Sequence, residues 1–387
     1  MNSCTDRGQL GVGAGFKPAL RLEPGNRPGT DYKPRWILCE LMKAVYITEH
    51  GSLEALTYGD LPEPTIGHDD VRVRVRACSV NRLDLYTRAG VRGTRLPLDA
   101  PHVLGGDAAG DVLEVGSSVT RLRAGDRVVM NPRVTCGQCR HCISGQEELC
   151  ARPNMMGTTV GGSYAEQIAV PARNAVALPD SLSYEQAASL PTVFMPCWSI
   201  LIRRAALKPW EAVLILSASS GVGTAAIQVA KNIIGARVIA TTSSAEKASK
   251  AKELGADEVI DYTSEDVAER VAALTDGRGV EVVLDHVGSD FWPAAMASLA
   301  AGGRYGVCGV TSGYRAELQL GTLFLKNQTV FGTFMGRNED LRQIVDLAGQ
   351  GVIRGIIHQT FPLEEAARAH ETMEGRNFFG KLVLSVP

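Results

Sequence analysis

The sequence predicts a two-domain α/β protein in which a β-rich, barrel-like domain is interrupted by a doubly wound parallel sheet. Three observations carry this. Residues 42–175 contain period-two alternation of apolar and polar side chains, cut by glycine turns. Residues 176–335 instead repeat short, continuously apolar runs between helical stretches, the pattern of strands covered on both faces. Residues 336–387 add a helix and one more strand, which are expected to return to the first domain.

Residues 1–41 are punctuated by Gly and Pro (GVGAG, EPGNRPGTDYKP), lack apolar periodicity and read as a disordered extension. Met42 then marks the start of the fold, or of the chain itself, and Met42-Lys-Ala-Val-Tyr-Ile is its first strand. Val71-Arg-Val-Arg-Val-Arg alternates strictly and reads as a half-buried antiparallel strand. Residues 110–129 are strands broken by the turns VGSSV and RAGDRV. In the second domain the strands are Ala212-Val-Leu-Ile-Leu, Arg237-Val-Ile-Ala-Thr, Glu258-Val-Ile-Asp, Val282-Val-Leu-Asp and Gly303-Arg-Tyr-Gly-Val-Cys. A helix over 224–234 and a Lys/Ala/Glu-rich helix ending at Leu254 separate the first three. A helix over 363–373 and a strand over 381–385 finish the chain.

Forty basic residues nearly cancel 42 acidic ones, so no global field draws the protein to nucleic acid or an anionic membrane. Its apolar runs fall short of the ~20 residues a membrane helix needs. Residues 1–41 lack the apolar core of a signal peptide, so a cytoplasmic protein is expected. Nine cysteines in that compartment stay reduced, which favours metal binding over disulfides.

The turn Ser217-Ala218-Ser-Ser220-Gly221-Val222-Gly223-Thr joins the first strand of the second domain to its helix. Small residues let the backbone approach a pyrophosphate, and the helix N-terminus offers unpaired N–H groups and a positive dipole end. A tight turn without a ligand is the alternative, made weaker by the strand–turn–helix setting. At the end of the next strand a carboxylate would hold the ribose hydroxyl of NAD and repel the 2′-phosphate of NADP. Thr242 takes that place, followed by Ser243, Ser244 and Lys247, and hydroxyls with an ammonium favour NADP(H). Ser243 with Glu246 also reads as a capping box for the next helix, and both readings can hold together.

Cys136, Cys139 and Cys142 are spaced by two residues each, and Cys150 follows after seven more. Such gaps turn successive thiolates toward one centre, and four sulfurs close a tetrahedral zinc site with no position left for substrate. One structural zinc per chain is expected, with His141 exposed and outside the ligand set. A redox switch that releases zinc on oxidation is the alternative role.

The segments CGQCRHCISGQEELC, SASSGVGTAAIQVAK, GADEVIDY, VVLDHVGS, GGRYGVCG and FGKLVLSV together resemble the medium-chain dehydrogenase/reductase family over residues 42–387. Members pair a chaperonin-10-like barrel with a Rossmann domain. The resemblance implies a catalytic domain at 42–175 and 336–387 with a zinc lobe at 136–150, a Rossmann domain at 176–335, and a homodimer or homotetramer. Zinc alcohol dehydrogenases of this family hold a catalytic metal on a Cys, a His-Glu pair and a second Cys. Those positions fall here on Asn81, on Gly106 with Asp107, and near Val193, and such residues cannot build the site. Cys78 and Cys197 lie near these positions but out of register.

What remains is similar to the quinone oxidoreductase branch, with Asn81, Asp84 and Tyr86 in its Asn-x-x-Asp-x-aromatic pattern. The resemblance gives Asn81 to the substrate carbonyl or the nicotinamide end, leaves Asp84 either catalytic or a structural anchor, and makes Tyr86 a second donor. Trp198, Phe334 and Met335 are candidate cleft walls, and Pro196 stands where relatives place a Thr against the nicotinamide. No His or Lys is placed by motif near Asn81. The expected reaction is NADPH-dependent hydride transfer to a small quinone or α,β-unsaturated carbonyl. Two alternatives stay open: a zinc alcohol dehydrogenase with atypical ligands, and a non-catalytic NADPH-binding redox sensor.

Overall fold

The computed structural model describes residues 40–387 and the backbone of two short strands, Leu20–Leu22 and Trp36–Leu38, which pair antiparallel. At these strands, and at Leu41, where the first barrel strand already begins, the expected disorder of 1–41 does not hold. The remainder of that expectation lies outside the described residues.

Strand β1 (Leu41–Ile47) runs between β2 (Thr57–Pro62) and β3 (His102–Val103). The main barrel sheet is built on β4 (Asp70–Ser79), which pairs with β5 (Asp107–Val115), with β7 (Gln167–Pro171) and with the C-terminal strand Lys381–Ser385. Beyond β5 come β6 (Arg127–Met130) and β8 (Ala175–Ala177). The alternation read in β4 is realised: Val71, Val73 and Val75 are fully buried, while Arg72 and Arg76 point outward to Glu63, Glu114 and Asp111. Each such valine contributes roughly 1.5 kcal/mol or more of burial.

The second domain is a six-stranded parallel sheet in the order β11–β10–β9–β12–β13–β14, formed by Ala212–Ile215 (β9), Arg237–Thr242 (β10), Glu258–Asp261 (β11), Val280–Asp285 (β12), Leu299–Val307 (β13) and Thr329–Gly332 (β14). Its central strands are buried on both faces, as continuous apolar runs require. The order reverses beside β9, which places a ligand crevice at the carboxyl ends of β9 and β12.

The expected domain boundary at 175/176 needs correction. It cuts into β8, which belongs to the barrel sheet, and the following helix Tyr184–Ala188 also packs on β4 and β5. The crossover lies near residue 190, where the helix Pro191–Trp198 begins. The helix expected over 224–234 starts three residues earlier, as Gly221–Gln228, and continues in wider π winding through Val229–Ile234. The tail does return to the barrel: Val383, Leu384 and Ser385 pair with Ser79, Cys78 and Ala77.

Candidate functional site

Between the domains lies a cleft of about 1070 Å³. One wall is the turn after β9. Ser217 there has a left-handed backbone (φ 55°), and Ser220 caps the helix Gly221–Gln228 by accepting from the Gly223 N–H at 2.8 Å. Gly223 is required, because a Cβ would lie 2.2 Å from the Ser217 carbonyl oxygen. Ser217, Ser220, Gly221 and Val222 line the cleft, whereas Ala218 and Gly223 are buried behind it and shape the turn.

Thr242 ends β10 buried, with its hydroxyl unpartnered, and Ser243 and Lys247 line the cleft beside it. The expected capping box at Ser243 is displaced by one residue. Ser244 is the cap, accepting from the Lys247 N–H at 3.3 Å, so Ser243 is left free toward the cleft. The Lys247 ammonium donates only to the Arg376 carbonyl (3.2 Å), and Arg376 and Arg82 line the same cleft. Three cations lining one cleft form a surface suited to phosphates.

The other wall comes from the barrel. Asn81 precedes the helix Arg82–Ala89, and its amide is consumed inside the protein. Nδ2 donates to the Asp107 carboxylate (2.9 Å) and the Ser79 carbonyl (3.3 Å), while Oδ1 accepts from Lys381 Nζ at 2.6 Å. Asp107, fully buried, also accepts from Ser79 Oγ and from the Thr192 N–H and hydroxyl. Lys381 Nζ donates to the Val80 carbonyl (3.0 Å) and stands 3.7 Å from Asp107. Burial pushes the lysine's pKa down, opposed by the charges of Asp107 and Asp84. No motif places a lysine near Asn81; the fold brings Lys381 there from the far end of the chain. Gly221 makes room for it: a Cβ there would sit 2.8 Å from Lys381 Cδ and 2.9 Å from Val193 Cγ1.

Asp84 does not reach the cleft. It accepts from the Asn81 N–H (2.8 Å) and the Tyr164 hydroxyl (3.1 Å), and burial raises its pKa to about 7. This is the anchoring role. Tyr86 does line the cleft, and its hydroxyl makes no hydrogen bond among the described residues. Phe334 and Met335 line it as expected, as does Pro196, but Trp198 is buried in the core behind. Cys78 is interior, and the Cys197 thiol donates to the Val193 carbonyl, so neither is offered to a metal.

Sequence reading missed Lys381, Thr192, Arg92, Cys308 and His286, all of which line the cleft. His286 Nε2 bonds Ser220 Oγ at 2.7 Å, its Nδ1 is buried without a partner, and burial lowers its pKa to about 4. The orphaned Thr242 hydroxyl and His286 nitrogen flank the turn where a dinucleotide would lie, so the residues fit that cofactor.

Cys136, Cys139, Cys142 and Cys150 bring their sulfurs within 4.8 Å of one another, the only such group of potential metal ligands among the described residues. A tetrahedron with Zn–S bonds of 2.3 Å has S–S edges of about 3.8 Å. Cys136–Cys142 at 3.9 Å and Cys139–Cys142 at 3.5 Å agree with it. His141 is half-buried rather than exposed, with its Nε2 against Arg140, and takes no part. No helix among the described residues is long and apolar enough to cross a membrane.

Residues 67–180 match the alcohol dehydrogenase GroES-like domain, and residues 221–350 match the zinc-binding dehydrogenase family. An NAD-dependent alcohol dehydrogenase of Sulfolobus acidocaldarius is 33% identical, the alignment covering 89% of this chain and 100% of the relative. A quinone oxidoreductase of Pseudomonas aeruginosa is 34% identical over 89% of this chain and 99% of its own. A crystal structure of an NAD-dependent alcohol dehydrogenase superposes with a TM-score of 0.85 at 40% identity, covering 89% of this chain and 100% of that one. With a GroES-like barrel, a Rossmann sheet and a four-cysteine lobe in one chain, the protein belongs to the medium-chain dehydrogenase/reductase superfamily of zinc-binding oxidoreductases.

Proposed function

We propose that the protein uses NADPH to reduce a small quinone or α,β-unsaturated carbonyl. The observation that carries this reading is the Lys381 ammonium lodged between Asn81 and Asp107, beside Val193. A catalytic metal would need donor side chains at 81, 106 and 193. The chain offers instead an amide already bonded on both sides, a glycine, a valine and a cation that would repel the ion.

A reduced nicotinamide, when bound, supplies the hydride. The protein's own work is to orient the acceptor and stabilise the charge that develops on its oxygen. Both Asn81 N–H groups are spent internally, so its role is to position Lys381. The lysine spends two N–H groups on Val80 and Asn81, and its third is the donor for the oxyanion, with Tyr86 as a second. The charges of Asp107 and Asp84 oppose the burial that lowers the lysine's pKa. Water supplies the proton.

NADPH oxidation followed spectroscopically against quinones, enals, enones and saturated ketones tests the reaction. Turnover should concentrate in the conjugated acceptors. Robust oxidation of ethanol or benzyl alcohol, abolished by mild chelation without unfolding, would restore the zinc alcohol dehydrogenase reading.

Similarity to NAD-dependent relatives favours NAD, but the local residues favour the phosphorylated cofactor: no carboxylate stands at Thr242 or Ser243, and Lys247 has no acidic partner among the described residues. Lys247→Ala should weaken NADPH binding roughly ten- to a hundredfold, the worth of a hydrogen bond to a charged group, and NADH binding much less. Equal losses would assign Lys247 to contacts shared by both cofactors. Thr242→Asp should shift preference toward NADH.

A further inference from the structure

Arg92 lines the cleft without an ionic partner among the described residues. It follows the helix Arg82–Ala89 in a tight loop, with φ of 56° between Gly90 (65°) and Gly93 (81°). A residue with a Cβ adopts that left-handed conformation only when its surroundings enforce it, and such residues cluster at ligand clamps. The enforcing contacts come from the other domain. Nη1 donates to the Val310 carbonyl (2.8 Å) and Nη2 to the Thr311 carbonyl (2.9 Å). The guanidinium lies between the rings of Tyr86 (4.9 Å to the centroid) and Tyr314 (5.3 Å), and the Tyr314 hydroxyl donates to the Arg92 carbonyl.

Every one of these partners is neutral. No carboxylate lies within 4.0 Å of Arg92 among the described residues, whereas Arg76, Arg88, Arg304 and Arg337 each meet one within 3 Å. Arg133 and Arg173, which also bond only carbonyls, do so in and beside the zinc lobe and not in the cleft. The acid on the same rim, Asp290, is exposed and receives Ser289 Oγ. Among the described residues that line the cleft, Asp290 is the only acid. Two of five guanidinium N–H groups are spent, and the flanking rings hold the planar fork rigid, so the rest is preorganised for a planar anion.

We infer that Arg92 is a specificity residue that selects acceptors carrying a carboxylate, held where the two domains meet. The inference rests on the reading of Asn81, Lys381 and Tyr86 as the acceptor end of the cleft.

The test compares kcat/KM of the NADPH-loaded protein for trans-2-butenal and trans-4-oxo-2-butenoate, which differ by one carboxylate. A second arm measures calorimetric binding of butanoate and butanamide to protein saturated with NADP+, and needs no turnover. The carboxylate should be favoured about tenfold or more in each pair, as a charge-assisted bidentate contact implies. Arg92→Met should collapse both ratios and Arg92→Lys restore part of them. Equal ratios in the native protein overturn the inference, even if the Met variant does not fold. Unchanged ratios in Arg92→Met, with both members of each pair weakened alike, also overturn it and leave Arg92 as an interdomain clasp. Reduction of butenal without a carboxylate preference sinks the inference alone. Butanoate binding that depends on Arg92, with neither aldehyde reduced, sinks the proposed reaction and keeps the inference.

Discussion

Replacing Lys381 by Met is expected to lower kcat about a hundredfold, the cost of removing one donor from a developing oxyanion. KM for the acceptor should change far less, because the charge on its oxygen exists mainly in the transition state. The variant should also be less stable. Lys381 and Asp107 are buried together, and removing the cation leaves a buried carboxylate, the Asn81 oxygen and the Val80 carbonyl without it. Breaking a buried ion pair from one side costs roughly 3–5 kcal/mol. Asp107 keeps donors from Ser79, Asn81 and Thr192, so the lower figure is expected. Circular dichroism melting beside steady-state kinetics separates the two effects. A folded Lys381→Met protein whose kcat is native, or whose loss lies wholly in KM, would remove Lys381 from the chemistry. Asn81→Ala is the companion, and should reproduce part of the kcat loss by releasing the ammonium from its position.

Lys381 also shows where sequence reading stops. The strand that carries it was legible as a strand, and its return to the barrel was expected from the tail's pattern. Its partner was not legible: register between Lys381–Ser385 and β4 is set by packing across some three hundred residues, and no local periodicity encodes it. Asn81 was found by its spacing to Asp84, but spacing says nothing of which amide atoms are already bonded. The same holds for Arg92, and for His286, which sits in the segment VVLDHVGS but whose place in the cleft no spacing shows. Features whose chemistry is local in sequence were legible: the four cysteines, the small-residue turn, and the valine–arginine alternation of β4. The miss at Ser243 is of a third kind. Two adjacent serines offer equal capping chemistry, and only the backbone shows that Ser244 is the extended residue (φ −162°, ψ 154°).

Cys139→Ser should lower the melting temperature by about 10 °C and release the one tightly held zinc the lobe is expected to carry. The size of the effect follows from what the lobe holds outside itself. Glu148, on the turn just before Cys150, pairs at 2.8 Å with both Arg203 and Arg337, and Arg203 reaches Asp340 at 3.0 Å. Glu147 accepts from the backbone N–H and the side chain of Asn338 at the start of the helix Asn338–Gly349. The lobe thus clamps segments on both sides of the domain crossover. Glu148 is largely buried, so releasing it strands two arginines and costs roughly 3 kcal/mol. For domains of this size that corresponds to about 6–12 °C. The loss should extend to the cleft: Arg133 donates to the Glu148 carbonyl and lies 5.1 Å from the Phe334 ring, one of the cleft walls. Elemental analysis should therefore give a zinc-to-chain ratio near one in the native protein and well below one in the variant. Glu148→Gln should reproduce a fraction of the melting shift while retaining zinc. Full stability in Cys139→Ser with the metal gone would mean that the lobe is not a clamp.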